Sequence, residues 1–104
     1  MKYGLDDKTI ERMQAVLAAY PEVDKAVLYG SRAKGNYKTG SDIDLTLYGT
    51  GLTLTVLHKI ENKFDDLLLP YKVDSSLFEQ ITDPDVIDHV RRVGVVFYEK
   101  CAPF

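Results

Sequence analysis

The sequence contains a single cysteine, Cys101, and no tryptophan among its 104 residues. One cysteine excludes a disulfide within the chain, which is typical of proteins kept in a reducing compartment. No segment approaches the ~18 consecutive apolar residues of a membrane-spanning helix, and the start of the chain, from Met1 to Asp7, lacks the apolar stretch of a signal peptide. We therefore expect a cytoplasmic protein without a membrane partner.

Basic charge is also scarce, with 13 lysines and arginines against 16 acidic residues and a formal net charge of −3. Proteins that bind polynucleotides normally carry an excess of positive charge, because they neutralise phosphates. The local concentration formed by Arg32, Lys34 and Lys38 is small. The composition therefore disfavours a DNA or RNA polymerase and leaves protein and small-molecule partners open.

The length of 104 residues fits one domain, over residues 1–104, and the hydrophobic fraction of 45% is ordinary for a globular protein. A chain of this size has little left for a separate substrate-binding domain. We therefore expect a second substrate, or part of a ligand pocket, to be supplied by another chain. The sequence leaves a homo-oligomer open.

Hydrophobic periodicity and capping residues predict alternating helices and strands. The predicted helices cover residues 7 to about 19, 31–34, 53–68 and 82 or 83 to about 93, and the predicted strands cover 25–29, 43–48, 71–77 and 95–98. Leu68 is predicted on the apolar face of its helix, and Gly94 at the C′ position of the last one. This order predicts an α/β (α+β) fold, with a small mixed sheet of about four strands packed against helices.

A glycine–serine turn, Gly30-Ser31, directly follows the apolar strand that ends at Tyr29. Glycine lets backbone N–H groups approach a phosphate without a Cβ in the way, and a helix start adds partial positive charge. After ten intervening residues, Asp42 and Asp44 open the next apolar strand. Strand side chains alternate, so both carboxylates point to one face, which suits Mg²⁺.

The spacing Gly30-Ser31, ten residues, Asp42-x-Asp44 resembles the signature of the DNA polymerase beta-like nucleotidyltransferase superfamily. The short chain resembles the minimal, stand-alone branch of that superfamily, the MNT proteins, over a region from about Leu5 to Tyr98. The resemblance implies the nucleotidyltransferase fold and a third carboxylate on a later strand. Asp74 is the residue that matches this third position.

The resemblance also implies an activity, which is the transfer of a nucleoside monophosphate to an acceptor hydroxyl. We expect the transferred group to be AMP and its donor to be ATP. Asp42, Asp44 and Asp74 would be catalytic and would bind two Mg²⁺ ions. Gly30 and Ser31 would bind the phosphates of the nucleotide. Two further roles are expected in the nucleotide site: Arg32 would offset charge on the leaving group, and Ser41 would form a hydrogen bond near the metal ions.

A partner follows from the same resemblance. MNT proteins pair with small all-helical HEPN proteins, which are toxins of the ribonuclease type. The MNT protein neutralises the toxin, in studied members by adenylylating a tyrosine on it. The resemblance therefore implies that this chain is an antitoxin.

Two other functions stay open on the sequence alone. The chain could neutralise a partner by contact alone, binding nucleotide without catalysis, although intact buried carboxylates are costly to keep ionised without a use. It could also be a small-molecule nucleotidyltransferase of the aminoglycoside type, completed by a partner chain. His58 and His89 have no metal-ligand partner at useful spacing, so we predict surface or capping roles for both.

Overall fold

A mixed four-stranded β-sheet forms the centre of the computed structural model, which describes residues 2–100. Cys101 lies outside the described residues. The strands are β1 (Lys25–Tyr29), β2 (Ile43–Tyr48), β3 (Val73–Leu77) and β4 (Val95–Glu99). The helices are α1 (Asp7–Ala18), α2 (Ser31–Lys34), α3 (Leu54–Asp66) and α4 (Pro84–Val93), with a 3₁₀ turn at Phe78–Gln80. The predicted α+β fold with a small mixed sheet is confirmed.

Local sequence explains where three of the helices begin. Asp6, Thr53 and Asp83 are the N-caps of α1, α3 and α4, and each side chain accepts a hydrogen bond from a backbone N–H in the first turn. Pro84 follows in the first turn of α4, where its missing N–H leaves no hydrogen bond unmade. Caps of this kind stabilise a helix by about 1 kcal/mol each. Within residues 2–100, no helix combines the length and the apolar character needed to cross a bilayer.

The strand order β3-β2-β1-β4 determines which side chains meet. β1 is antiparallel to both β2 and β4, whereas β3 is parallel to β2, to which it is connected through α3. The register pairs Asp44 of β2 with Tyr29 of β1 on one side and with Asp74 of β3 on the other. The end of β1 and the starts of β2 and β3 therefore lie at the same end of the sheet.

The sheet separates an apolar face from a polar one. Alternate strand residues join side chains of α1 and α3 in one buried cluster. The cluster includes Met13, Leu17, Leu28, Ile43, Leu45, Leu47, Ile60 and Phe64. The opposite face carries α4, packed over β1, and bears the side chains of Asp44 and Asp74. The predicted site therefore lies on the face away from the main core.

Two boundary residues differ from the predictions. Leu68 is not on an apolar helix face: α3 ends at Asp66, and Leu68 follows in a left-handed conformation with φ of +54°, 87% exposed. Gly94 does not adopt the left-handed C′ conformation, because its φ is −62°. A Cβ at Gly94 would overlap the carbonyl oxygen of Val90 and lie 2.6 Å from Val27 Cγ1. Close packing of α4 on β1, and not a helix cap, is therefore the reason for this glycine.

Candidate active site

Gly30 directly follows β1 and has a backbone conformation that strongly favours glycine. Its φ is +79° and its ψ is −159°, a region in which other residues carry about 1–3 kcal/mol of strain. A Cβ at this position would also overlap the Oδ2 atom of Asp44. The absence of a side chain therefore brings the Gly30–Ser31 turn against the β2 carboxylate.

The single helical turn α2 begins at Ser31, directly after this glycine. Gly30 has no side chain with which to cap the first backbone N–H groups of the turn, and its carbonyl accepts a hydrogen bond from the Lys34 N–H at 3.1 Å. N–H groups at the start of a helical turn attract anions when no side chain caps them. The backbone at Ser31 is therefore suited to a phosphate oxygen.

Asp44 and Asp74 lie opposite each other on neighbouring parallel strands. Paired residues on adjacent strands are about 5 Å apart, and their side chains point to the same face. Asp42 lies just ahead of the start of β2, two residues before Asp44. Asp44 is partly buried, whereas Asp42 and Asp74 are exposed. The structure thus brings three carboxylates to the end of the sheet at which Gly30 lies.

The three carboxylates affect one another through their charge. Burial raises the pKa of Asp44, and the negative charges of Asp74 and Asp42 raise this pKa further, while His89 acts in the opposite direction. Keeping Asp44 ionised at neutral pH therefore costs folding free energy. A cation bound between these groups would remove that cost.

Within residues 2–100, no group of three or more histidine, cysteine, aspartate or glutamate side chains is arranged closely enough to hold a metal ion. The chemistry of the donors nevertheless fits Mg²⁺, which prefers carboxylate oxygens and shares its coordination with substrate phosphates. After burial, which is the largest cause, the negative charges of Asp74 and Asp42 also raise the pKa of Asp44. The donor types of Asp42, Asp44 and Asp74 therefore suit the ion, although the structure does not bring the three carboxylates into an arrangement that could hold it.

The guanidinium of Arg32 is turned into the protein, and the residue is only 3% exposed. It donates two hydrogen bonds to the Ser41 carbonyl, at 3.0 and 2.7 Å, and one to the Tyr3 carbonyl, at 2.8 Å. The guanidinium also lies 4.5 Å from the centre of the Tyr71 ring. We predicted that Arg32 offsets charge on the leaving group, but the structure places it where it ties together three segments around the loop that follows α2.

Ser41 belongs to the same loop. Its Oγ accepts a hydrogen bond from the Lys38 N–H at 2.8 Å, and its own N–H donates to the Lys38 carbonyl at 3.0 Å. We predicted a hydrogen bond near the metal site, whereas the hydroxyl closes the turn that immediately precedes Asp42. Ser41 and Arg32 together therefore fix the course of the chain into the first carboxylate.

His89 of α4 reaches this site, which the sequence did not predict. Its Nε2 atom accepts a hydrogen bond from the Gly30 N–H at 3.1 Å. Its ring meets that of Tyr29 edge to face, with centroids 6.1 Å apart and an interplanar angle of 78°. We predicted a surface or capping role for His89; the ring is half-buried and not on the surface, because α4 packs over β1 and presents it to the end of that strand. Helical spacing places position 89 on the same face as the apolar residues Val86, Val90 and Val93. This pattern in the sequence indicates that His89 faces the sheet.

Hydroxyl groups cover the sheet beside the carboxylates. Thr46 is fully buried, and its Oγ1 accepts a hydrogen bond from Ser76 Oγ at 3.2 Å. Burial raises the pKa of the Tyr29 phenol, a hydrogen bond with Ser76 lowers it, and the charges of Asp44 and Asp74 raise it. The net effect on this pKa is upward, which reinforces the neutral form that a phenol already has at neutral pH, so Tyr29 adds no negative charge to the site.

The sequence matches the protein family described as Polymerase beta, Nucleotidyltransferase over residues 11–102. This region contains the Gly30–Ser31 turn and the carboxylates Asp42, Asp44 and Asp74. No curated protein sequence matches the chain significantly.

Solved structures share the fold. One is a crystal structure of a toxin–antitoxin with AMP-PNP, with a TM-score of 0.68 and 18% identity, covering 92% of this chain and 75% of that chain. Another is the Shewanella oneidensis complex of a tri-AMPylated HEPN toxin with an MNT antitoxin (TM-score 0.67, 15% identity, 92% and 74% covered). A third, from Sulfolobus solfataricus, is described as a nucleotidyltransferase (TM-score 0.52, 21% identity, 93% and 92% covered). At these identities the similarity concerns the fold.

Proposed function

Because the chain belongs to the polymerase beta nucleotidyltransferase family, we propose that it transfers AMP from ATP to an acceptor hydroxyl in a reaction that depends on Mg²⁺. The supporting observation is the pairing of Asp44 with Asp74 beside the Gly30–Ser31 turn. A carboxylate pair next to uncapped backbone N–H groups offers ligands for both Mg²⁺ and a triphosphate. The carboxylate pair without the turn would lack a phosphate site, and the turn without the carboxylates would lack ligands for Mg²⁺.

In the proposed reaction, the acceptor oxygen attacks the α-phosphorus of ATP and forms a new oxygen–phosphorus bond. The bond from the α-phosphorus to the bridging oxygen breaks, and pyrophosphate leaves. The hydroxyl proton passes to Asp74, an exposed carboxylate on the edge strand β3. Bound Mg²⁺, held by Asp42, Asp44 and Asp74, would neutralise charge on the triphosphate.

The nucleotide itself is bound by the turn at the end of β1. Ser31 offers its hydroxyl and its backbone N–H to the phosphates, and Gly30 allows their close approach. Arg32 contributes by holding the loop through the Ser41 and Tyr3 carbonyls, since three of its five N–H donors are engaged there. The proposal therefore assigns phosphate binding to backbone and hydroxyl groups, with the buried arginine acting through the loop.

We propose an all-helical HEPN-type protein as the partner and a tyrosine hydroxyl on it as the acceptor, so that the chain acts as an antitoxin. Structural neighbours support this proposal, since one is a toxin–antitoxin with AMP-PNP and another contains a tri-AMPylated HEPN toxin. The chain adds a second line of support, because Asp42 and Asp74 are exposed. Exposed carboxylates are accessible to an acceptor as large as a protein.

The test is a transfer assay with an all-helical HEPN-type protein, Mg²⁺ and ATP labelled at the α-phosphate. We expect label on a tyrosine of the partner, and its loss with Asp44→Asn. Asp65→Asn is the matched control, because Asp65 is exposed on α3, which packs against the opposite face of the sheet.

Two results would contradict the proposal. A tight complex that forms without label, and that Asp44→Asn leaves unchanged, would identify a binding module that works by contact. Label on an aminoglycoside with none on protein would identify a small-molecule enzyme.

A further inference from the structure

We propose that His89 is a positioning residue for the nucleotide. By accepting the Gly30 N–H, its Nε2 atom holds the Gly30–Ser31 turn in the orientation that receives phosphate. The inference rests on the proposed nucleotidyltransferase function, because it concerns the same nucleotide, and it adds a residue outside the motif and on a different element.

The contacts of His89 define which ring nitrogen is the acceptor and how the ring is oriented. The Gly30 N–H donates to Nε2 at 3.1 Å, so Nε2 is the acceptor nitrogen and the ring hydrogen lies on Nδ1. The edge-to-face contact with Tyr29 holds the plane of the ring. The helix beneath it is fixed by Val90, which is only 3% exposed. The acceptor is therefore presented by a rigid element and not by a mobile side chain alone.

Gly30 is held from two sides in this arrangement. His89 accepts its N–H, and the Oδ2 atom of Asp44 occupies the space in which a Cβ would lie. Glycine has wide conformational freedom, so a glycine turn keeps one orientation only if its neighbours impose it. The direction of the Ser31 N–H follows from that orientation. Loss of the His89 bond would therefore loosen the phosphate site without removing any group that touches the phosphate.

Two substitutions separate the hydrogen bond from the packing of the ring. His89→Phe keeps a flat ring against Tyr29 but has no acceptor, whereas His89→Gln supplies a carbonyl oxygen that can accept the Gly30 N–H. His58→Phe is the matched control, because His58 is the other histidine of the chain and is exposed on α3. Binding of AMP-PNP with Mg²⁺ is measured by calorimetry, and the Gly30 amide is followed by ¹⁵N–¹H NMR.

We expect His89→Phe to weaken AMP-PNP binding about tenfold, in line with the loss of one hydrogen bond to a partly buried group. The Gly30 amide resonance should move to the position of an unbonded N–H. His89→Gln should restore most of the affinity and of the resonance shift, and His58→Phe should change neither. Should His89→Phe fail to fold, His89→Asn, whose side chain is too short to reach Gly30, carries the same expectation.

The outcomes distinguish this inference from the function on which it rests. Unchanged or tighter binding by His89→Phe, with normal binding by the wild type, would overturn the positioning role alone. Tighter binding would mean that His89 competes with phosphate for the Gly30 N–H. Failure of His89→Gln to recover affinity would also overturn it. Failure of the wild-type protein to bind AMP-PNP with Mg²⁺ would overturn the proposed function and this inference with it.

Discussion

The two faces of the β-sheet are built from the same strands but differ in what they contribute to the stability of the fold. On one face, Leu28 and Leu45 are fully buried against helices α1 and α3. On the other face lie Tyr29 and Asp44, the immediate neighbours of these leucines in the sequence. There the negative charges of Asp42 and Asp74 repel that of Asp44. The apolar face gains free energy from non-directional burial, whereas the polar face loses some by keeping Asp44 ionised. Stability and function should therefore be separable by substituting adjacent residues.

The largest expected effect is that of Asp44→Asn on transfer. Removing one carboxylate from the proposed Mg²⁺ site should lower the transfer rate by about 10³-fold or more, which corresponds to the several kcal/mol that a bound ion supplies. The initial rate of labelled AMP transfer measures this effect, and circular dichroism shows whether the fold is retained. A rate within about tenfold of wild type would contradict the assignment of Asp44 as a metal ligand.

Leu45→Ala tests the other face at the next position in the chain. Truncation of this fully buried side chain should lower the free energy of unfolding by about 2–5 kcal/mol. The rate per folded molecule at low temperature should stay near the wild-type value. Val96→Ala is the control, since Val96 is 53% exposed and its loss should change stability by at most about 0.5 kcal/mol. If Leu45→Ala abolished transfer while remaining folded, the two faces would not be independent.

Arg32→Lys should destabilise the protein by about 1.5–3 kcal/mol, because a lysine cannot reproduce the forked hydrogen bonds to the Ser41 and Tyr3 carbonyls. The measurement is urea unfolding. Arg92→Lys is the matched control, because Arg92 pairs with Asp88 on the surface and such pairs contribute at most about 1 kcal/mol. A variant Arg32→Lys that kept full stability but lost transfer would favour a direct role at the leaving group.

The smallest expected effect is a gain of stability in Asp44→Asn at neutral pH. The folded-state pKa of Asp44 is raised above its ordinary value, first by burial and then by Asp74 and Asp42. Its favourable contribution is complete below that value and is lost as the pH rises through the folded pKa. The variant should therefore melt a few degrees higher at neutral pH, with the difference disappearing in acid. A lower melting temperature at neutral pH would contradict the repulsion between the carboxylates.

The fold and the first two carboxylates could be predicted because their signals are local. Apolar runs define β1 and β2, caps such as Asp6 mark helix starts, and alternation puts Asp42 and Asp44 on one face. The role of Asp74 could be predicted only from the resemblance to a family, because its pairing with Asp44 depends on the strand order. Arg32 and His89 could not be placed, because the contacts of Arg32 with Tyr3 and of His89 with Gly30 exist only in the tertiary structure.

The most direct test of the account is a crystal structure of the protein with AMP-PNP and Mn²⁺, which replaces Mg²⁺ and gives an anomalous signal. We predict Mn²⁺ bound by Asp42, Asp44 and Asp74, with the triphosphate against the Gly30–Ser31 turn. Mn²⁺ or the triphosphate bound elsewhere, with these three carboxylates free, would contradict it.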